Sequence, residues 1–281
     1  MAAWPGLECT EKVITTQGDR ILDRPLPEIG GKGLFTRELE SELYSRNVHA
    51  AVHSLKDLPV ENPPGLLLGA IPTRGEVRDA LVSRRGDTLD TLPEGARVGT
   101  SSLRRSAQIL HVRPDLHIEP LRGNVDTRLR KADQGLYDAI LVAGAGLIRL
   151  GYAEHISQWL PLDTMLPAPG QGALSVQCRS DDVSTLHLLA PIEDLATRQA
   201  TSAERAFLEG LGGGCSLPIA AYALLRDGRL FLHGRVISLD GQHVIDCHAQ
   251  GEDPQEIGLQ CARQALAQGA GELLAMTTAG E

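Results

Sequence analysis

The chain has 281 residues, 42% hydrophobic and 22% charged, a composition that excludes a disordered polypeptide and leaves room for two or three separate cores. Its formal net charge of −9 excludes nucleic acid as the main partner, because a phosphate groove leaves a basic excess. No apolar run reaches the roughly eighteen residues of a membrane span and no basic-then-apolar leader opens the chain, so a cytoplasmic protein with no membrane partner is expected.

Five cysteines, Cys9, Cys178, Cys215, Cys247 and Cys261, are odd in number and form no C-x-x-C pair. They are expected to be reduced thiols, with neither a disulfide framework nor a metal site.

In chain order, LECTEKVITT reads as a strand. Pro25, Pro27, Gly30, Gly31 and Gly33 then mark a loop before a helix in GLFTRELESELYSRN. HAAVHSL reads as a buried strand and LLLGAIPT as another. From Arg97 to Ile148, RVGT, SSLRRSAQILHV, LHIEPL, NVDTRLRKADQG, DAILVA and GLIRL alternate strand and helix patterns, as a parallel, doubly wound sheet requires. LPAPGQGALSVQCR reads as loop followed by strand. Near Thr197 the pattern changes to one helix, then IAAYALL, RLFLHGRVIS and HVIDCHAQ, joined at Asp227-Gly228 and Asp240-Gly241, and a closing helix QEIGLQCARQALAQGAGELLA. Asp-Gly between alternating strands predicts hairpins, hence a small three-stranded antiparallel sheet packed by helices.

Two basic clusters interrupt the acidic background. GTSSLRR holds Arg104 and Arg105; LRGNVDTRLRK holds Arg122, Arg128, Arg130 and Lys131. Each follows a strand and opens a helix, which sets hydroxyls, free backbone N–H groups and guanidinium forks at the carboxyl edge of a sheet, where anions bind. Arg130 and Lys131 read better as solvated helix surface. A ligand with several carboxylates suits the forks as well as a phosphate does. No phosphate-binding G-x-x-x-x-G-K-[ST] loop and no dinucleotide fingerprint is present.

HSLKDLP, residues 53 to 59, delivers Lys56 and Asp57 at the end of an apolar strand. Two readings stand: a carboxylate that stabilises a developing cation or moves protons, and a solvated ion pair in a turn. His53 reads as strand packing, since no second ligand lies at metal spacing. Glu204 and Arg205, adjacent on a helix, read as ties between domains. In GGGCSLP the glycines end the preceding helix and leave Cys215 on a loop, either exposed to a ligand or simply a small core residue.

Taken in order, GGKGLF, HSLKDLP, GTSSLRR, LRGNVDTRL, PAPGQGA, SAERA and GGGCSLPIA resemble the porphobilinogen deaminase (hydroxymethylbilane synthase) family over essentially the whole chain. The resemblance implies an α/β fold: two doubly wound domains like those of periplasmic binding proteins, residues 1–74 with 171–192 and residues 75–170. It adds a third, small α+β domain, residues 195–281. It implies a transferase of tetrapyrrole biosynthesis that condenses four porphobilinogens head to tail into hydroxymethylbilane with loss of ammonia, acting as a cytoplasmic monomer. Its cofactor would be a dipyrromethane, thioether-linked to Cys215. Each pyrrole carries an acetate and a propionate, so the bound chain brings many carboxylates that arginines must pair.

By motif, Lys56, Ser102, Arg104, Arg105 and Arg128 would hold cofactor carboxylates, Thr100, Ser101 and Gly123 would add hydrogen bonds, and Arg122 and Arg149 would face incoming substrate. Asp57 would hold pyrrole N–H groups and stabilise the cationic azafulvene left when ammonia departs. Gln171 would lie at an interdomain hinge, and Lys32 and Phe35 on a loop over the cleft. The family also begins with an apolar strand, a basic-Ser-x-Leu-Ala motif and a helix that do not precede MAAWPGLECTEK. The expectation is therefore a start upstream of Met1 or a truncated, inactive form. A non-catalytic carboxylate-binding module, with Arg104, Arg105 and Arg122 as its clamp, is the reading from a different class.

Overall fold

The computed structural model describes residues 3–16, 36–213 and 217–279. Three sheets organise it. The first is antiparallel in the order β1 (Ala50–Ser54), β8 (Leu174–Arg179), β2 (Leu66–Ala70), with helix α1 (Arg37–Tyr44) against β1 and α5 (Val183–Leu189) against β2. Its central strand comes from more than a hundred residues downstream of its two neighbours, so the chain leaves this sheet after β2 and returns to it at β8.

The excursion builds a five-stranded sheet, β5-β4-β6-β3-β7, from β3 (Asp79–Ser83), β4 (Arg97–Gly99), β5 (His117–Glu119), β6 (Ala139–Ala143) and β7 (Gln158–Trp159). Within the stretch from Arg97 to Ile148, β4, β5 and β6 are parallel, as their strand–helix alternation predicts. β3 and β7 run antiparallel to them, so the whole sheet is mixed. Both faces are covered. Leu81, Val98, Leu141 and Ile109 of α2 (Leu103–Val112) form one core, while Ala80, Val82, Ile140, Val142, Leu129 of α3 (Val125–Asp133) and Leu147 of α4 (Gly144–Arg149) form the other. That two-sided burial is why β3 is buried at every position and AILVA is an unbroken apolar run instead of an alternating one.

The third unit follows α6 (Leu195–Gly210). Its sheet, β11-β10-β9, joins β9 (Ile219–Arg226), β10 (Arg229–Ile237) and β11 (Val244–Gly251) in antiparallel register. Asp227 and Gly228 both take positive φ, 51° and 76°, which is the two-residue turn that Asp-Gly predicts. The inner face packs on α6 and α7 (Pro254–Ala267) around the fully buried Phe207.

Helix starts follow local chemistry. Asn124, Asp182, Asp194 and Asp253 each accept a hydrogen bond from the backbone N–H three residues on, and Pro254 occupies a first-turn position where no N–H is missed. Two expectations fail. Residues 7–16 pair with no strand, and the closing helix is two, α7 and α8 (Ala270–Ala279), because Gly269 turns the chain at φ +97° between them. β3 has no counterpart among the sequence-derived elements.

Candidate active site

β1 delivers the first pair of side chains. It ends at Ser54, and Leu55–Asp57 forms one 3-10 turn closed by Leu58 N–H on Leu55 C=O at 3.2 Å. Leu55 and Leu58 are buried and pin the turn, while Asp57 is exposed and Lys56 half-buried. The Lys56 ammonium donates to Gln171 Oε1 at 3.3 Å. Asp57 lines a pocket of about 200 Å³ with Thr16, Thr36, His53 and Ser54. His53 is buried on its strand, 3.2 Å from Gln177 Oε1, and burial lowers its pKa, in keeping with a packing role.

β4 and β5 deliver the second group. Thr100 is buried, with its N–H on Glu119 C=O at 2.9 Å and its hydroxyl accepting from Ser102 N–H. The Ser101 hydroxyl donates to Leu121 C=O and accepts from Leu121 N–H, each at 3.0 Å. The Thr100 N–H and the Ser101 hydroxyl stitch the loop after β4 to the end of β5 and the loop that follows it. Ser102 starts α2 without a side-chain cap bond.

Arg104 and Arg105, in the first turn of α2, are buried and share one counter-ion that the sequence reasoning missed. Asp79, the first residue of β3, accepts from Arg104 Nη1 through Oδ2 at 2.8 Å and from Arg105 Nε through Oδ1 at 2.9 Å. Arg104 Nη1 also reaches Leu166 C=O at 2.7 Å, and its Nε is buried without a partner. Burial by itself raises the Asp79 pKa, yet the two guanidiniums hold it well below the ordinary carboxylate range. Its only local signal is a short apolar run, ALV, that directly follows this aspartate.

Gln171 joins the two groups. Fully buried, its amide nitrogen donates to Val77 C=O at 2.8 Å and to Asp79 Oδ1 at 3.1 Å, while its oxygen receives Lys56. Here the outgoing and returning segments lie side by side. Gly75 N–H meets Gly172 C=O at 3.0 Å, and a Cβ on Gly172, at φ +86°, would sit 2.6 Å from Glu76 O. Only glycine fits.

Charge gathers at this junction. Burial brings the Lys56 pKa down to about 8, with Asp57 opposing the fall and Arg105 reinforcing it. Arg128 falls to about 10 through burial and the like charges of Arg105 and Arg122, and its Nε donates to Gly123 C=O at 2.7 Å. Burial also lowers Arg122, whose carbonyl accepts from Lys131 at 3.1 Å. The structure thus brings Lys56, Asp57, Arg104, Arg105, Arg122 and Arg128 into one electrostatic neighbourhood. Arg149 stands at the end of α4, lowered by burial, with Nη2 on Gly172 C=O at 2.6 Å. Cys215, Lys32 and Phe35 lie outside the described residues.

Family models match almost the entire chain. Residues 2–187 match "Porphobilinogen deaminase, dipyromethane cofactor binding domain", and residues 199–267 match the C-terminal domain of porphobilinogen deaminase. The chain belongs to the porphobilinogen deaminase family. It is 54% identical to the porphobilinogen deaminase of Brevibacillus brevis, over 93% of this chain and 85% of that one. With that of Syntrophotalea carbinolica the identity is 50% over 96% and 87%, and with that of Desulforudis audaxviator 47% over 99% and 91%. Among solved structures, a double mutant of the VFT2 domain of Bordetella pertussis BvgS overlaps 54% of this chain and 64% of its own, at 13% identity and a TM-score of 0.35. That overlap is too loose to bear on the fold. In the porphobilinogen deaminase frame, the cofactor-binding match spans both of the first two sheets, and the C-terminal match begins within α6.

Proposed function

We propose that this chain joins four porphobilinogens head to tail into the linear tetrapyrrole hydroxymethylbilane, releasing ammonia at each addition, with a dipyrromethane held as a thioether on Cys215. The observation that carries the assignment of roles is the exposed Asp57 carboxylate beside Lys56, Arg104, Arg105, Arg122 and Arg128. Among the described residues, Asp57 and Asp79 are the carboxylates that act on Lys56 here, and they stand against a surplus of cations.

The donor set fits a polycarboxylate cofactor. The half-buried ammonium of Lys56, the orphaned Nε of Arg104, the uncapped Ser102 hydroxyl and the desolvated Arg128 all gain from an added carboxylate. Lys56, Ser102, Arg104, Arg105 and Arg128 would hold its acetates and propionates, with Thr100, Ser101 and Gly123 shaping the loops between them. When bound, the dipyrromethane supplies the pyrrole end from which the product grows.

The chain's own residues do the rest. The half-buried Arg122 and the exposed Arg149 bind the carboxylates of incoming substrate, and guanidiniums already held in place orient them with less reorganisation than water would need. Asp57 accepts hydrogen bonds from pyrrole N–H groups and stabilises the positive charge that develops on the substrate as its ammonia leaves. A carboxylate also takes up the proton released from carbon once the new bond has formed. Catalysis on this reading is electrostatic, from a fixed anion set among fixed cations.

The same reading divides the chain into residues 1–74 with 171–192, residues 75–170 and residues 195–281, a partition supported by one sheet in each unit. It makes the protein a cytoplasmic monomer. No helix among the described residues is long and apolar enough to cross a membrane.

Intact mass of the purified chain tests the proposal. A dipyrromethane-sized increment mapped to the peptide holding Cys215, and absent in Cys215→Ala, supports it. An unmodified chain that binds porphobilinogen reversibly would instead be a carboxylate-binding module.

A further inference from the structure

Glu204 and Arg205 are neighbours on α6, and their side chains leave in different directions. Glu204 turns to the crossing segments, where both its oxygens bind Arg74 and one accepts Gly170 N–H at 2.7 Å. Arg205 turns to the first sheet. Its Nη2 donates to Pro59 C=O at 2.6 Å and Val60 C=O at 3.0 Å, and its Nη1 to Leu58 C=O at 3.2 Å, with Leu55 C=O at 3.5 Å on the margin of bonding range. Those four carbonyls bracket Asp57.

Three facts make this more than a tie between units. Asp57 is exposed, so its place is set by the backbone of its turn and not by packing around its side chain. The turn is a single 3-10 turn with no continuing helix, and the carbonyls of Leu58, Pro59 and Val60 just after it converge on the one guanidinium. A guanidinium suits several convergent carbonyls, because its five N–H donors lie in a rigid, pre-organised planar fork. An ammonium concentrates its charge at one atom and reaches fewer of them.

We propose that Arg205 is a positioning residue for the reaction: by gathering the carbonyls on either side of Asp57, it fixes the turn from which that carboxylate meets substrate. α6 then links two parts of the active centre, since the segment carrying Cys215 follows its carboxyl end. The proposal rests on the reading of Asp57 as the catalytic carboxylate.

Arg205→Gln and Arg205→Lys are compared with the unaltered holoenzyme, turnover being expressed per cofactor-loaded chain as counted by intact mass. The expected result for Arg205→Gln is kcat lower by about tenfold or more with KM for porphobilinogen within about twofold, the pattern of a lost transition-state interaction. Arg205→Lys recovers part of the loss, and amide exchange quickens in residues 55–60 but not in α6. An unchanged kcat per loaded chain, or a defect confined to KM, overturns the proposal. If Arg205→Gln fails to fold or load, Arg205→Lys decides alone, and turnover equal to the unaltered chain overturns it. Asp57→Asn run in parallel separates the two ideas: full turnover there defeats the role of Asp57 itself, whereas loss there beside unaffected Arg205 variants defeats only the positioning.

Discussion

Arg74 Nη1 and Nη2 lie 2.7 and 3.0 Å from the two carboxylate oxygens of Glu204, a side chain with no exposed surface. The same oxygens accept Ala223 N–H from β9 and Gly170 N–H from the returning crossing, so one carboxylate ties three distant segments of the chain to α6. Glu204→Gln keeps the shape but leaves Arg74 without its counter-charge and one acceptor turned into a donor. The expected cost is about 3–5 kcal/mol, read from denaturant unfolding. An unaltered midpoint would mean that the junction is held by packing instead.

Asp79 offers the second test. In Asp79→Asn, Arg104 and Arg105 remain buried with no anion between them, and the expected loss at pH 6 is again about 3–5 kcal/mol. Because the folded pKa of Asp79 is depressed, its contribution is complete above the unfolded carboxylate value of about 3.9 and is lost as pH falls through the folded value. The gap between the two chains should therefore narrow below about pH 4. A gap that stays constant into strong acid would contradict the assignment.

Lys56 is shifted in the same direction, but here it is the charged form that burial disfavours. Its folded pKa, about 8, lies below that of an ordinary lysine, so between the two values the unfolded chain binds more protons and stability rises with pH. Below pH 8 the ammonium is charged in both states and its burial is a standing cost. In cofactor-free Cys215→Ala, adding Lys56→Met should raise the unfolding midpoint at pH 7, and the gain should shrink as pH climbs past 8. A Lys56→Met chain less stable at pH 7 would show that its neighbours outweigh its burial.

Asp57→Asn is expected to carry the full cofactor mass on Cys215 and to lose turnover by roughly a hundredfold or more, the usual scale for removing one preorganised electrostatic group. Loss of the adduct together with turnover would instead place Asp57 in cofactor assembly.

Much of this was legible in the chain itself. The strand–helix alternation from Arg97 to Ile148 and the Asp227-Gly228 hairpin carry local signals, period and turn chemistry, that need no partner to be read. The motifs around Lys56, Arg104 and Arg128, through the family resemblance, likewise pointed to one cation-rich, anion-binding junction. Asp79 and Gln171 were harder, because their roles depend on pairing between segments distant in sequence. β3 is a five-residue buried run with no alternation, and nothing local tells it from other apolar stretches. For the same reason LECTEKVITT has strand composition and forms no strand: composition states a preference, and a neighbouring edge has to be there to accept it.

The placement of β8 between β1 and β2 sets an order of assembly. As the chain emerges from amino to carboxyl end, β1 and β2 appear early, yet their shared partner is residues 174–179. All five strands of the inserted sheet are complete by Trp159. The later-encoded sheet can therefore close while the earlier one waits with open edges, and the Lys56–Asp57 turn acquires its support only after the crossing at Gln171 has been made. On the ribosome, Asp57 is among the first residues of the candidate site to be synthesised and among the last to be seated.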